Sequence, residues 1–257
     1  MPLSRYAATA LALMAAAVTG VSPAGTSPAH KTLRIVALGD STTATALDWA
    51  PPIKEVYADC LPRSLAAHGI SATVVNAGIG DTTTRDALAR LDRDVRSHHP
   101  DLVVIQFGIN DSWIDVDQGS TAPRLTRTEY RDNLGKIIAI LKSDGAQVVL
   151  MTPNPMRWAD PYYIKAFEEH SGLLDTHAPR GIDRLLDLYA ADVREVARQE
   201  QLPLVDVFAA FEGYGKVPGQ SIDELLLAGD GIHPNQAGQH LVCKLLTNSI
   251  AGLYSAD

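Results

Sequence analysis

Five short, mainly apolar runs recur along the chain, at residues 33–38 (LRIVAL), 72–75 (ATVV), 102–107 (LVVIQF), 147–151 (QVVLM) and 204–207 (LVDV). Each is too short and too apolar for a typical amphipathic helix, and the first, a short unbroken apolar run, reads as a buried parallel strand. Stretches of helical length lie between and after them, at 53–68, 83–97, 126–143, 183–200 and 235–252. Strands alternating with helices predict an α/β fold, a parallel sheet covered by helices on both faces. No internal repeat or low-complexity linker interrupts the pattern, which predicts a single domain over 30–257. One long stretch, 153–181, is rich in Pro, aromatic and charged residues and is expected to be irregular; loops of that length often shape a binding site.

Ahead of the first run, Arg5, the apolar stretch 7–18 (AATALALMAAAV) and the small residues and prolines of VSPAGTSPAH have the three-part layout of a secretory signal peptide. Cleavage is expected after Ala24 or Ala29; a disordered tail or a first helix is the plainer reading. The apolar stretch is too short to span a bilayer, and nothing else reaches the roughly 18 consecutive apolar residues that a span requires. Residues 1–29 are therefore expected to be a signal and flexible N-terminus, and the product secreted or periplasmic without stable membrane insertion. The chain is 46% hydrophobic and 20% charged, enough for a sizeable core. Its formal net charge is -8 and no Lys/Arg run interleaved with aromatics occurs, so nucleic acid is not an expected partner. The only cysteines, Cys60 and Cys243, fall on separate predicted helices, where one disulfide and two buried thiols are equally open readings.

The first run ends on Gly39-Asp40-Ser41-Thr42. A glycine there lets the backbone turn sharply, so Ser41 should emerge just beyond the carboxyl end of the strand, where open α/β sheets put their ligands. The second run ends in VVNAGIGDTTT, with Asn76, Gly78 and Gly80. Glycines at that place let a ligand approach backbone N–H groups, whether it is a phosphate or a developing oxyanion. The third glycine of a dinucleotide fingerprint is missing, and the stretch follows the second run instead of the first, so a nucleotide cofactor is not expected. The third run ends in FGIND, where Asn110 could donate to a negative oxygen without carrying a charge of its own. Before the last helix, GDGIHPNQAGQ sets Asp230 three residues ahead of His233, with Pro234 suited to a helix start. An aspartate so placed can accept from Nδ1–H and leave Nε2 facing outward as a base. Taken singly, each stretch is an ordinary turn or helix cap; together they put a nucleophile, donors, a base and an orienting acid on one rim.

These blocks resemble the SGNH hydrolases, the superfamily of GDSL esterases and lipases, through Ser41 in GDST, Gly78 in NAG, Asn110 in GIND and His233 in DGIHP, in the same order. The resemblance covers essentially all of the chain after the N-terminal segment. It implies a flavodoxin-like three-layer α/β/α sandwich with a five-stranded parallel sheet and hydrolysis of carboxylic esters through an acyl-enzyme. In that reading Ser41 is the nucleophile, His233 the base and Asp230 its orienting acid. The backbone N–H groups of Ser41 and Gly78 and the side chain of Asn110 form the oxyanion hole, and no cofactor is required. Two departures stand out: Thr42 replaces the commoner leucine, and the block around Gly78 is a residue tighter than the frequent N-x-G-x-x-G-D form.

No metal is expected, since adjacent His98 and His99, and His170 and His177 seven apart, match no ligand spacing. In PNPMRWADPYY, residues 153–163, Arg157, Trp158 and two tyrosines would suit a sugar or an anionic group, with packing of the insertion an equally open role. Trp49 and Trp113 also follow motif strands and are candidates to narrow the pocket, which makes Trp113, Arg157 and Trp158 the candidate substrate contacts. Aromatic loops and GDST are similar to the carbohydrate-deacetylating branches of the superfamily, which implies a short-chain or O-acetyl esterase acting on a glycan or small-molecule ester. A lysophospholipase or thioesterase is the alternative, and a non-catalytic glycan-binding protein on the same fold a more distant one.

Overall fold

The computed structural model describes residues 31–44, 53–157 and 183–254. Five strands, β1 (Leu33–Gly39), β2 (Ala72–Gly78), β3 (Leu102–Gln106), β4 (Gln147–Met151) and β5 (Leu204–Val205), form one parallel sheet in the order β2-β1-β3-β4-β5. The described helices are α1 (Tyr57–Ala66), α2 (Thr84–Asp94), α3 (Ile109–Ser112), α4 (Arg127–Ser143), α5 (Asp183–Glu200), α6 (Val207–Gly215) and α7 (Gln236–Tyr254). The signal-like segment 1–29 and most of the 153–181 stretch, with Trp158, His170 and His177, lie outside the described residues, as does Trp49.

Strand side chains divide by parity. Leu33, Ile35 and Ala37 of β1, with Leu102, Val104, Val149 and Met151, pack under α1, α6 and α7. Val36 and Leu38, with Val103, Ile105, Val148 and Leu150, pack under α2, α4 and α5. That two-sided burial is why these runs are continuously apolar. Registers Gly39↔Gly78, Gly39↔Gln106 and Gln106↔Met151 level the carboxyl ends of four strands into one rim.

Several boundaries differ from the sequence expectation, β2 for one running on to Gly78 instead of stopping at 75, and three of the differences have a visible cause. The helix expected over 83–97 ends at Asp94, and a short 3₁₀ turn, Arg96–His98, leads to His99 with φ +46. Val95, wholly buried in a non-helical conformation, anchors that break, and Pro100 keeps the chain from turning back into helix. The fifth strand stops at Val205 instead of running to 207, because the Asp206 side chain accepts from Ala209 N (3.0 Å) and caps α6. Helix α1 begins at Tyr57, not 53: Lys54 N and Glu55 N donate instead to Gln236 Oε1 of α7.

Cys60 of α1 and Cys243 of α7 form a disulfide with Cα atoms 6.3 Å apart. It closes the question that the sequence left open. Joining positions 183 residues apart, it restricts the unfolded chain strongly and stabilises by about 2–4 kcal/mol on the usual scale.

Candidate active site

Ser41 stands two residues past β1, in a turn that Asp40 builds. The Asp40 carboxylate, fully buried, accepts from Thr42 N (2.9 Å) and Thr42 Oγ1 (2.8 Å), while its carbonyl accepts from Thr43 N and Ala44 N. Thr42 thus fills with a satisfied hydroxyl the place where leucine is commoner. Behind the turn, Gln239 of α7 donates to Thr42 O (3.1 Å) and accepts from Tyr57 N (2.9 Å), fastening the serine loop to the helix that follows His233.

Asp230 and His233 lie in the loop before α7. Gly229 (φ +100) and Gly231 (φ +63) take the left-handed turns on either side of Asp230, a conformation that side chains other than glycine adopt at a cost. Asp230 Oδ1 accepts from the N–H groups of Ile232 (2.7 Å) and His233 (3.2 Å), and Oδ2 accepts from His233 Nδ1–H (2.7 Å). Nε2 is left to accept from Ser41 Oγ–H at 2.8 Å. Burial alone would raise the Asp230 pKa, but the His233 hydrogen bond and the two backbone N–H groups outweigh it, so its carboxyl sits below the ordinary aspartate value and stays ionised. Asn154, wholly buried just past β4, donates to Ile232 O (2.8 Å), and Arg157 N donates to Gly231 O (2.6 Å), tying the His233 loop to the same rim.

Asn110, the second residue of α3 past β3, is nearly buried; one amide N–H donates to Thr82 O (3.0 Å), and the amide has a second to give. Gly78 stands differently from the sequence expectation. Its N–H donates to the Asn76 side chain (2.9 Å), and a Cβ there would meet Ala44 N at 2.4 Å and Thr43 C at 2.7 Å. Gly78 therefore packs beneath the serine loop. The glycine alongside the serine is Gly80, where an added Cβ would lie 3.8 Å from Ser41 Cβ. Reading the tight block from its Gly80-Asp81 end, instead of from Asn76, is the sequence signal that finds it.

Of the remaining candidates, Trp113 closes α3 and is partly buried, and Arg157 lies against the His233 loop with Nη1 donating to Met156 O (2.9 Å). Among the described residues no group of three or more His, Cys, Asp or Glu could hold a metal ion, and no helix is long and apolar enough to cross a membrane.

Asp111, next to Asn110, is a buried carboxyl whose Oδ1 accepts from Thr84 N (2.9 Å) and Thr84 Oγ1 (2.6 Å), while Oδ2 has no partner. Burial foremost pushes its pKa up to about 7, against the Thr84 hydrogen bonds and with the neighbouring Asp40 charge adding to the rise. A carboxyl raised on folding stabilises fully below its unfolded pKa, and that stability is lost as pH climbs through the folded value. Asp111→Asn should therefore gain on the wild type between pH 4 and pH 7, by on the order of a few kcal/mol, and run parallel to it above that. Urea unfolding of both proteins at pH 4.5, 6 and 8 checks this; a constant difference across the series contradicts it.

Residues 37–241 match the GDSL-like lipase/acylhydrolase family. An arylesterase from Vibrio mimicus is 36% identical over 217 residues, covering 84% of this chain and 88% of that one. An acetylxylan esterase from Geobacillus stearothermophilus is 29% identical over 178 residues, covering 69% and 71%. A lipase/acylhydrolase from Enterococcus faecalis superimposes with TM-score 0.66 at 31% identity, over 86% of this chain and 97% of that structure. The chain belongs to the GDSL-like lipase/acylhydrolase family and is a serine hydrolase of carboxylic esters.

Proposed function

We propose that the protein is an exported esterase that removes short acyl groups, O-acetyl groups on a glycan foremost, through an acyl-enzyme on Ser41. The observation that carries this reading is the unbroken chain from Asp230 through His233 to Ser41, with links of 2.7 and 2.8 Å. His233 Nε2 takes the Ser41 proton as Oγ bonds to the ester carbon, then gives it to the departing alkoxide as the carbon–oxygen bond breaks. Water repeats the sequence on the acyl-enzyme, releasing the acid and restoring Ser41. The oxyanion is met by the N–H groups of Ser41 and Gly80 and by the amide of Asn110; Gly78, whose N–H is taken by Asn76, supports the loop from below.

The glycan reading is supported by the similarity to an acetylxylan esterase and by Arg157 and Trp113 near the rim, with Trp158 as a further contact from the sequence. Export is supported by the signal-like N-terminus and by the disulfide, which suits an oxidising compartment. Acetate release from acetylated xylan, measured beside hydrolysis of lysophospholipid and acyl-CoA, tests the substrate class. Faster turnover of acetylated xylan is expected; a preference for the long-chain lipid or thioester contradicts it.

A further inference from the structure

Arg124 lies in the connection between α3 and α4, outside the four motif blocks. Its Nε and Nη2 fork onto Asp115 (2.9 and 2.8 Å), and its remaining arm, Nη1, reaches across to Asp81 Oδ1. The Arg124 backbone is itself fixed to the segment after Asn110: its N–H donates to Trp113 O (2.8 Å), and Leu125 N donates to Asp111 O (3.1 Å). Asp81 directly follows Gly80 and holds φ +59, a conformation uncommon for a residue with a side chain. The turn is closed on itself by Thr82 Oγ1 donating to Ile79 O (2.7 Å) and is met from the other side by Asn110 donating to Thr82 O (3.0 Å). Two bridges, Arg124 to Asp81 and Asn110 to Thr82, therefore join the two loops that carry the Gly80 and Asn110 donors.

We infer that Arg124 is a positioning residue for ester hydrolysis, setting the spacing between the Gly80 N–H and the Asn110 amide by holding Asp81 in its left-handed turn. The inference rests on those two groups meeting the oxyanion. The Asp81 side chain is 79% exposed, so its ion pair adds little to global stability. Its effect falls instead on the geometry of the hole, where donors act only within about 2.7–3.1 Å of the developing charge. Guanidinium is required because one group must hold Asp115 through two parallel bonds and still present a third N–H to Asp81; a lysine ammonium lacks that fixed fork.

The test compares wild type, Arg124→Gln, Asp81→Asn, the double variant, Arg124→Lys and Ser41→Ala on p-nitrophenyl acetate. An alkylboronic acid, which forms a tetrahedral adduct with the serine, serves as oxyanion probe. Expected for Arg124→Gln and Asp81→Asn is a fall in kcat of about three- to tenfold with KM unchanged within about twofold. The boronic acid should weaken in the same proportion, melting temperatures should stay together, and Arg124→Lys should recover only part of the loss. The double variant should be no slower than either single one, as one shared bridge requires. If Ser41→Ala abolishes hydrolysis while Arg124→Gln and Asp81→Asn keep wild-type kcat and boronic acid affinity, the inference is overturned and the serine mechanism stands. Independent, multiplying losses in the double variant overturn it as well. Hydrolysis that survives Ser41→Ala overturns both.

Discussion

Asp230→Asn should lower kcat by about four orders of magnitude while the protein stays folded. The reason lies in which atoms the loop leaves available. Oδ1 of residue 230 already accepts from the Ile232 and His233 N–H groups, and an asparagine would keep its oxygen there, since an amide nitrogen facing two N–H donors is repelled. Its NH₂ would then face His233 Nδ1, which must become the acceptor. The ring proton moves to Nε2, pointing at Ser41 Oγ, and the base is lost without any change of position. Steady-state kinetics on a short ester give the magnitude, and ¹⁵N chemical shifts of the imidazole identify the tautomer. A loss under tenfold with the Nδ1–H tautomer retained would show that Asp230 only packs the loop.

Asn110→Ala should cost about a hundred- to a thousandfold in kcat, the usual effect of removing one oxyanion donor. Asn110→Asp should be worse, because a carboxylate would stand where negative charge develops. Both changes also break the Thr82 bridge, so the alanine variant should lose slightly more than the donor alone accounts for. The melting temperature separates the two roles: Asp111, Ser112 and Ile109 keep α3 buried in either variant, so unfolding should shift by only a few degrees. An alanine variant that retains most of the wild-type kcat would remove Asn110 from the hole.

The sheet was legible because burial on both faces of its inner strands leaves mainly apolar runs such as LRIVAL and LVVIQ, too short for helices. Helix α6 was not, because FAAFEGYG carries two glycines and no clear polar face; the N-cap at Asp206, a single residue inside what reads as a strand, decides it. Ser41, Asn110, Asp230 and His233 could be singled out since each follows a strand or precedes a helix at fixed spacing. Gly78 and Gly80 could not be told apart by type. What separates them is tertiary: the Asn76 side chain occupies one N–H, and the backbone of residues 43–44 presses on that same glycine. The sequence gives no sign of Arg124 for a similar reason, since its two carboxylate partners are 9 and 43 residues away and meet only after folding.

Short-chain ester hydrolysis through Ser41 is tested most directly by hydrolysis of p-nitrophenyl esters from acetate to palmitate, measured for the protein and its Ser41→Ala variant side by side. A rate confined to acetate and other short chains, and abolished by Ser41→Ala, is the predicted result. Hydrolysis persisting in the variant, or a rate that rises with chain length, would contradict it.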